Sequence, residues 1–460
     1  MSGHQTAGRL LPTTLVLVAL VSAVVGSLGA PLITAVSAEY HVSLAAAQWT
    51  LTIALLSGVV ATPILGRLGS GSRRRPVVLV TLATVAAGGA LSVPALPFWL
   101  LLVGRAAQGV GLGVTALLMA TAREHLPPDR AASTIALLSV TSTAGIGVGY
   151  PLAGLLTDLA DVHAAYALGL AVSVLALVTA WLGLPDAKAS APARVDWTGG
   201  VLLAAGLLTL LIAISQTGPW RDHPALMGLV TAAALAALAV WTLIETRRPA
   251  PLVDVRLLRH PAVAAANTAM LAAGAGMYLL LSLITRYVQT PSGVGYGFGL
   301  DTFRAGLVLV PFSVLGFAAG KLAPWMRRRA GAPSLLAGSV AVVLAAFAVF
   351  GTARGDISGP VVAMSVLGFG VGAFSAAMPA LILGAVPPHE TASAMSVNQV
   401  VRSTGFALGS ALAGLILAGH PRHGSPFPSD GGYTTAAWIG AATMLLAALA
   451  IPLAGRRPRA

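Results

Sequence analysis

Residues 66–75 read Gly66-Arg67-Leu68-Gly69-Ser70-Gly71-Ser72-Arg73-Arg74-Arg75, and residues 320–329 read Gly320-Lys321-Leu322-Ala323-Pro324-Trp325-Met326-Arg327-Arg328-Arg329. Both stretches follow a long apolar segment, and both keep the glycine, the leucine two places on and the closing arginine triplet. They lie 254 residues apart. A shift of 260 residues then carries Pro127-Pro128 and Ala132-Ser133 onto Pro387-Pro388 and Ala392-Ser393. The same shift carries Gly145, Gly149, Leu152, Ala153, Gly154 and Leu155 onto Gly405, Gly409, Leu412, Ala413, Gly414 and Leu415. Two unrelated segments rarely agree this often, so the chain reads as two copies of one unit.

Composition fixes the solvent. Of 460 residues 57% are apolar and only 9% charged, against about 25% charged in ordinary soluble domains. Mean hydropathy is +0.86. Too few charges exist to cover a soluble surface, so lipid surrounds most of the chain. The absence of cysteine excludes disulfides, Cys-ligated zinc, iron–sulfur clusters and thiol nucleophiles.

Fourteen segments are long and apolar enough to cross a bilayer as helices: 12–35, 46–67, 77–96, 98–120, 132–156, 164–184, 197–216, 225–245, 262–286, 303–323, 333–352, 359–383, 391–418 and 433–455. No period-two alternation is visible, so helices are expected and a barrel is not. The first segment, with Arg9 before it and Val36-Ser37-Ala38 after it, is too long for a signal peptide. Six spans per copy leave two over, 197–216 and 225–245. The expected organisation is an N-terminal six-helix half over 1–185, a linker with two extra spans over 186–261, and a C-terminal six-helix half over 262–460.

Twenty-seven basic residues against fourteen acidic ones give a net charge of +13. With the N-terminus inside, the inner segments hold twenty of them: Arg9, Arg67, Arg73, Arg74, Arg75, Arg123, Arg130, Lys188, Arg194, Arg247, Arg248, Arg256, Arg259, Lys321, Arg327, Arg328, Arg329, Arg456, Arg457 and Arg459. The outer loops hold five: Arg221, Arg286, Arg304, Arg354 and Arg422. This asymmetry follows the positive-inside rule and places both termini in the cytoplasm of a multi-pass cell-membrane protein. It accounts for the basic charge, so no nucleic-acid partner is expected.

These residues resemble the major facilitator superfamily, in its 14-helix drug:proton antiporter branch. The 66–75 loop is similar to that family's Gly-x-Leu-x-Asp-Arg-x-Gly-Arg-Arg/Lys loop through Gly66, Leu68, Arg73, Arg74 and Arg75. Arg105-Ala106-Ala107-Gln108-Gly109-Val110-Gly111 is similar to its Arg-x-x-Gln-Gly-x-Gly element. Residues 145–154, with Gly145, Gly149, Pro151 and Gly154, are similar to its antiporter motif Gly-x-x-x-Gly-Pro-x-x-Gly-Gly, the proline standing one place late. The resemblance covers essentially the whole chain. It implies an all-α membrane fold of two six-helix halves plus two inserted central helices, drug efflux by alternating access, and proton exchange. The chain departs from the family at Ser70, where the loop's Asp belongs, with Pro324 its counterpart in the second copy. The first-span Asp falls at Ser22 if Pro31 is the following proline. That Asp is tied to proton coupling in the family, so coupling does not carry over.

The residues themselves nominate a site. A guanidinium inside a span costs roughly 2.5–3.5 kcal/mol on insertion scales, so it faces a cavity or a partner. Arg105 shares a helix face with Gln108 and Thr115, though it lies near enough to the outer end to snorkel. Arg402 lies deeper, on one face with Asn398, Gln399 and Phe406, and its first-copy counterpart is Ser142. Every Asp, Glu and His falls in a loop or at a span end, Asp158 and Asp301 being the acids nearest the core. A positive cavity without a carboxylate prefers anionic, zwitterionic or neutral ligands. The arginine loop reads as a topological anchor or as a latch between halves; the antiporter-like glycines read as helix packing or as a leak-proof seam.

Export of drugs, antibiotics or small organic metabolites is the leading expectation, with import by a symporter or uniporter as the alternative. A third possibility is an organic anion expelled by the inside-negative potential, worth about 2.3 kcal/mol per charge per 100 mV. No P-loop and no enzyme constellation occurs. No cofactor or metal is expected; the partners are a small organic substrate, lipid and, on the resemblance alone, protons, with the chain acting as a monomer. Only short tails flank the outermost spans, which leaves no room for the soluble domain of a scaffold or sensor.

Overall fold

The computed structural model describes residues 2–29, 32–186, 196–215, 222–248, 260–422 and 427–454, with isolated positions at 220, 251, 255 and 256. Among these residues the secondary structure is helical apart from one isolated bridge between Pro421 and Pro428. The first half comprises α1 (Ser2–Ser27), α2 (Ile33–Glu39), α3 (Leu44–Leu68), α4 (Arg74–Ser92), α5 (Phe98–Gly109), α6 (Val114–His125), α7 (Pro128–Leu159) and α8 (Val162–Gly183). Two helices follow, α9 (Trp197–Ser215) and α10 (Pro224–Glu245). The second half comprises α11 (Pro261–Gln289), α12 (Thr302–Val308), α13 (Val310–Ala330), α14 (Ala332–Thr352), α15 (Ser358–Leu383), α16 (Thr391–Ala418) and α17 (Asp430–Ala454).

Each expected apolar segment contains a helix, and local chemistry explains the ends. Proline opens α7, α10 and α11, where a missing N–H costs nothing. Ser43, Asp161 and Asp301 cap α3, α8 and α12 by accepting from Ala46, Ala164 and Arg304 N–H. Among the described residues twelve helices are long and apolar enough to cross a membrane, or thirteen with the bent α7 counted as one span. The apolar part of α9, Trp197–Ala213, falls short of that length. Trp99, Trp181, Trp197 and Trp325 stand exposed near helix ends, where amphipathic rings meet the bilayer interface.

Three expected spans differ in outline, and one of them, 303–323, is divided at Leu309 into α12 and α13, with α13 running on to Ala330. The 12–35 span is broken into α1 and α2, and Pro31 lies outside the described residues. The fourth span does not stop at 120: α5 passes through a 3-10 turn (Val110–Gly113) into α6, which runs to His125. That turn forms where Gly109 and Gly113 bring the backbone against Ala54 and Thr62 of α3. Arg123, expected in a loop, therefore stands on a helix.

The earlier and later helices pack in similar patterns. In the first half α1 lies against α7 and α8; in the second, α11 lies against α16 and α17. The halves meet along two lines, α7 against α12, α13 and α15, and α16 against α3 and α6. The inserted helices flank the second line: Leu203, Leu207 and Leu211 of α9 and Trp241 of α10 share an apolar cluster with Leu56 and Val59 of α3. Arg67, Arg73–Arg75, Arg123 and Arg327–Arg329 gather at one end of the bundle, the basic end. Helix α14 leaves that end, and Arg354 just beyond it binds Asp430, from which α17 returns. Lys188, Arg194, Arg221, Arg259, Arg456, Arg457 and Arg459 lie outside the described residues, as does the side chain of Arg9.

Candidate functional site

The two nominated arginines occupy different places. Arg105 is fully buried (0% exposed) inside the first half and does not snorkel. Its Nε donates to Thr50 O (3.1 Å) and its Nη1 to Gln108 Oε1 (2.6 Å), while Gly29 leaves room for the guanidinium. Helical rise puts it about 10 Å from the outer end of α5. Arg402 is 8% exposed and lies about 16 Å from the basic end of α16. Its Nη1 donates to Ser139 O of α7 (3.2 Å), so it bridges the two halves. The guanidinium lies over the Phe406 ring (5.8 Å), and Phe406 stacks on Tyr278 of α11 (5.1 Å).

Asn398 is buried one turn nearer the basic end and donates through Nδ2 to Asn267 Oδ1 of α11 (3.1 Å). Gln399 is half-buried on the same face. Asn398, Gln399, Arg402 and Phe406 are thus brought together beside the seam, with Asn267, Ser139 and Tyr278. Arg105 and Gln108 are not brought to that cluster. The side chain of Ser142, the counterpart of Arg402, lies outside the described residues.

The antiporter-like motif divides between two faces of α7. Gly145 lies against the Ala23 backbone and Gly149 against Ser27 and Val24, so both pack α7 onto α1 within the first half. Ser27 Oγ donates to Gly145 O (3.0 Å). On the other face Gly147 abuts Ser313, Pro151 abuts Gly306, and Gly154 abuts Phe303, all in the second half. Ser313 Oγ donates to Thr143 O, and Gly320 and Gly316 pack against Val140 and Thr143. Small residues on both helices let the backbones approach along most of the seam.

The arginine loop divides as well. Arg74 binds Glu124, and Arg75 binds Asp186 Oδ1 (2.8 Å) and Trp181 O (3.0 Å), fastening the loop to α6 and α8 within the first half. Gly66 packs against Ser396 of α16, and Leu68 closes α3. Arg73 ends the intervening 3-10 turn, whose Gly71 has φ +70°. Ser70, in the Asp position, donates to Arg67 O (2.6 Å). Ties between halves at the basic end come from Arg67, at the start of the loop, and from residues outside it. Arg67 pairs with Glu390 (3.6 Å) and Arg328 with Asp129 (2.8 Å). Arg123 donates to Thr391 Oγ1 (2.7 Å), Leu383 O (3.0 Å) and Val386 O (3.2 Å).

Sequence reasoning missed Arg123, counted only as a loop charge, and Asn267, Ser139 and Ser313, which are ordinary in their own helices and matter only through partners over a hundred residues away. The acids expected near the core have structural roles or none. Asp301 caps α12, and Ser22 returns its hydroxyl to Val18 O (2.8 Å). At the base of the α9–α10 hairpin, Glu245 is buried beside Gly199 together with Asp196, which pairs with Arg248. Among the described residues no group of three or more potential ligands suits a metal ion.

Comparisons with known proteins agree with this architecture. The chain is 28% identical over 428 residues to the Cephamycin export protein CmcT of Amycolatopsis lactamdurans, covering 90% of this chain and 85% of that protein. It is 26% identical over 390 residues to the Multidrug resistance protein B homolog of Mycobacterium tuberculosis, covering 83% of this chain and 71% of the relative. The crystal structure of the human organic anion transporter MFSD10 (TETRAN) superposes with a TM-score of 0.67 at 14% identity, over 96% of this chain and 99% of that one. At that identity the likeness is one of fold. The family profile of the Major Facilitator Superfamily matches residues 15–410, most of the chain, which therefore belongs to that superfamily of secondary transporters.

Proposed function

We propose that this protein exports small organic molecules, antibiotics or the cell's own metabolites, by alternating access between two six-helix halves. In this reading α9 crosses the membrane too, giving fourteen spans with both termini in the cytoplasm, and a single chain carries the whole pathway. The observation that carries the proposal is Arg402, a guanidinium from one half that hydrogen-bonds the Ser139 carbonyl of the other, deep in a seam lined with glycine and serine. A contact of this kind breaks and re-forms when the halves rock, and aromatic rings beside it suit an apolar substrate. Relatives named for cephamycin export and multidrug resistance support the outward direction.

The energy source follows from the charges at the seam. With Pro31 taken as the family's proline, Ser22 stands where the coupling carboxylate belongs, and Arg402 supplies the positive charge. An anion held there leaves down the inside-negative potential with about 2.3 kcal/mol per charge per 100 mV. The test has two parts. A drug and metabolite susceptibility panel compares expressing cells with empty-vector cells and with Arg402→Ala. Efflux of a hit from proteoliposomes is then driven by a pH gradient alone and by potential alone. Potential-driven efflux that Arg402→Ala abolishes supports the reading. Uptake in place of efflux, or no resistance to any compound, overturns it; efflux on a pH gradient alone removes the anion mechanism and leaves export.

A further inference from the structure

We infer that the cleft between the halves at the basic end binds an organic anion with an apolar body, and that such a ligand loosens the tie Arg123 makes across the seam. The cleft has a volume of about 400 Å³, within the range of about 300–1,000 Å³ typical of small-molecule sites. Its walls come from both halves: Ile135 of α7 faces Ala377, Ala380 and Leu383 of α15, and Arg123 and Arg327 are the charged residues of the lining. Among the described residues no carboxylate lines it. The acids nearby are engaged elsewhere, Asp129 with Arg328, Glu390 with Arg67 and Glu124 with Arg74. The Arg327 guanidinium makes no hydrogen bond or ion pair among the described residues. An apolar chamber whose charges are both cationic selects a ligand with an apolar body and a carboxylate, sulfonate or phosphate head.

Arg123 gives the cleft a consequence. Its Nη2 donates to the carbonyls of Leu383 and Val386 and its Nη1 to Thr391 Oγ1. Leu383 ends α15 and Thr391 begins α16, so a guanidinium from the first half caps an exposed helix end of the second. These acceptors are neutral. An anionic head beside Arg327 is a stronger acceptor, and drawing Arg123 toward it removes three bonds between the halves together. The consequence for transport rests on the export reading; the binding site does not.

Anilinonaphthalene sulfonate and the uncharged N-phenylnaphthylamine share an apolar body and differ in the anionic head. With the full chain in phosphatidylcholine nanodiscs, the sulfonate is expected to bind saturably and at least tenfold more tightly than the amine. Arg327→Ala should weaken the sulfonate about tenfold and leave the amine unchanged, and Ile135→Trp, which fills the cleft, should abolish both. The chain has no cysteine, so nitroxides at Arg130→Cys and His389→Cys, exposed on opposite halves, report the tie. The sulfonate should populate a longer distance, already present without ligand in Arg123→Gln. Equal affinity for the two probes, no effect of Arg327→Ala, or an unchanged distance overturns the inference. Displacement of the sulfonate by phosphatidylglycerol in wild type but not in Arg327→Ala also overturns it, by assigning the cleft to membrane lipid. Loss of export with sulfonate binding intact sinks the export reading alone.

Discussion

Gly316→Ala tests the seam directly. A Cβ on residue 316 falls 2.6 Å from Thr143 Cγ2 across the halves, about 0.8 Å inside the ordinary contact distance near 3.4 Å, so the stiff β-branched Thr143 side chain, and α7 with it, must move away from α13. The same atom lies 3.1 Å from Gly368 O in its own half, a contact that yields with a few tenths of an ångström. Overpacking of this size costs about 1–3 kcal/mol. Most of that penalty applies only while the seam is closed, so the balance should move toward the parted arrangement by about 5–150-fold. Nitroxides at Leu159→Cys and Leu307→Cys, both exposed, measure the change by double electron–electron resonance. Thr143→Ser deletes the offending methyl and keeps the Thr143 carbonyl that accepts from Ser313, so the double variant should recover the wild-type distances. Wild-type distances in Gly316→Ala, or failure of Thr143→Ser to restore them, would refute the claim that close contact here sets the equilibrium.

Arg105→Met should keep the fold within about 1–2 kcal/mol of wild type by thermal unfolding, because removing a guanidinium whose insertion costs about 2.5–3.5 kcal/mol offsets the lost bonds to Thr50 and Gln108. A loss above about 4 kcal/mol contradicts this. Reversing Arg67 to Glu should weaken closure of the basic end and raise thiol labelling of Ser396→Cys, buried against Gly66 across the halves, and adding Glu390→Arg should reverse the effect; labelling unmoved by either change denies the ion pair a gating role. Asp196→Ala should cost about 0.5–2 kcal/mol of helix capping, read as faster hydrogen exchange at 197–203. Burial pushes the Asp196 carboxyl up, but hydrogen bonds from Gly199 N–H and Thr198 and the charge of Arg248 outweigh it and hold the group below its usual range. A depressed folded value means that its stabilisation is complete above the unfolded value of about 3.9 and drains away as pH falls below it. Exchange at 197–203 should therefore be flat from pH 7 to 5, once corrected for intrinsic rates, and rise below pH 4.

Periodicity, charge and the repeat made most of the fold legible. Apolar length alone located every helix-bearing segment, because a span in lipid must satisfy its backbone within itself and so announces itself locally. The arginine triplets marked one end of the bundle for the same reason. Arg402 was legible too, since a guanidinium inside an apolar run is costly wherever it points. Which arginine reaches the seam was not. Arg105 and Arg402 look alike in sequence, yet one turns into its own half toward the Thr50 carbonyl and the other crosses to Ser139. Arg123 shows the converse, since nothing near it in sequence marks it as the donor that caps α15.

The sequence by itself determined the solvent, where apolar helices form, the recurrence of residues at a fixed shift and the distribution of charge, because each follows from transfer energies or residue identities read along the chain. Only the tertiary structure decided how the 145–154 glycines divide between α1 and the second half, that Arg74 and Arg75 anchor within their own half, and that Arg123, Arg67 and Arg328 tie the halves together. Those outcomes depend on the rotation of each helix about its axis, which is set by packing between residues more than a hundred positions apart and leaves no local periodic signal.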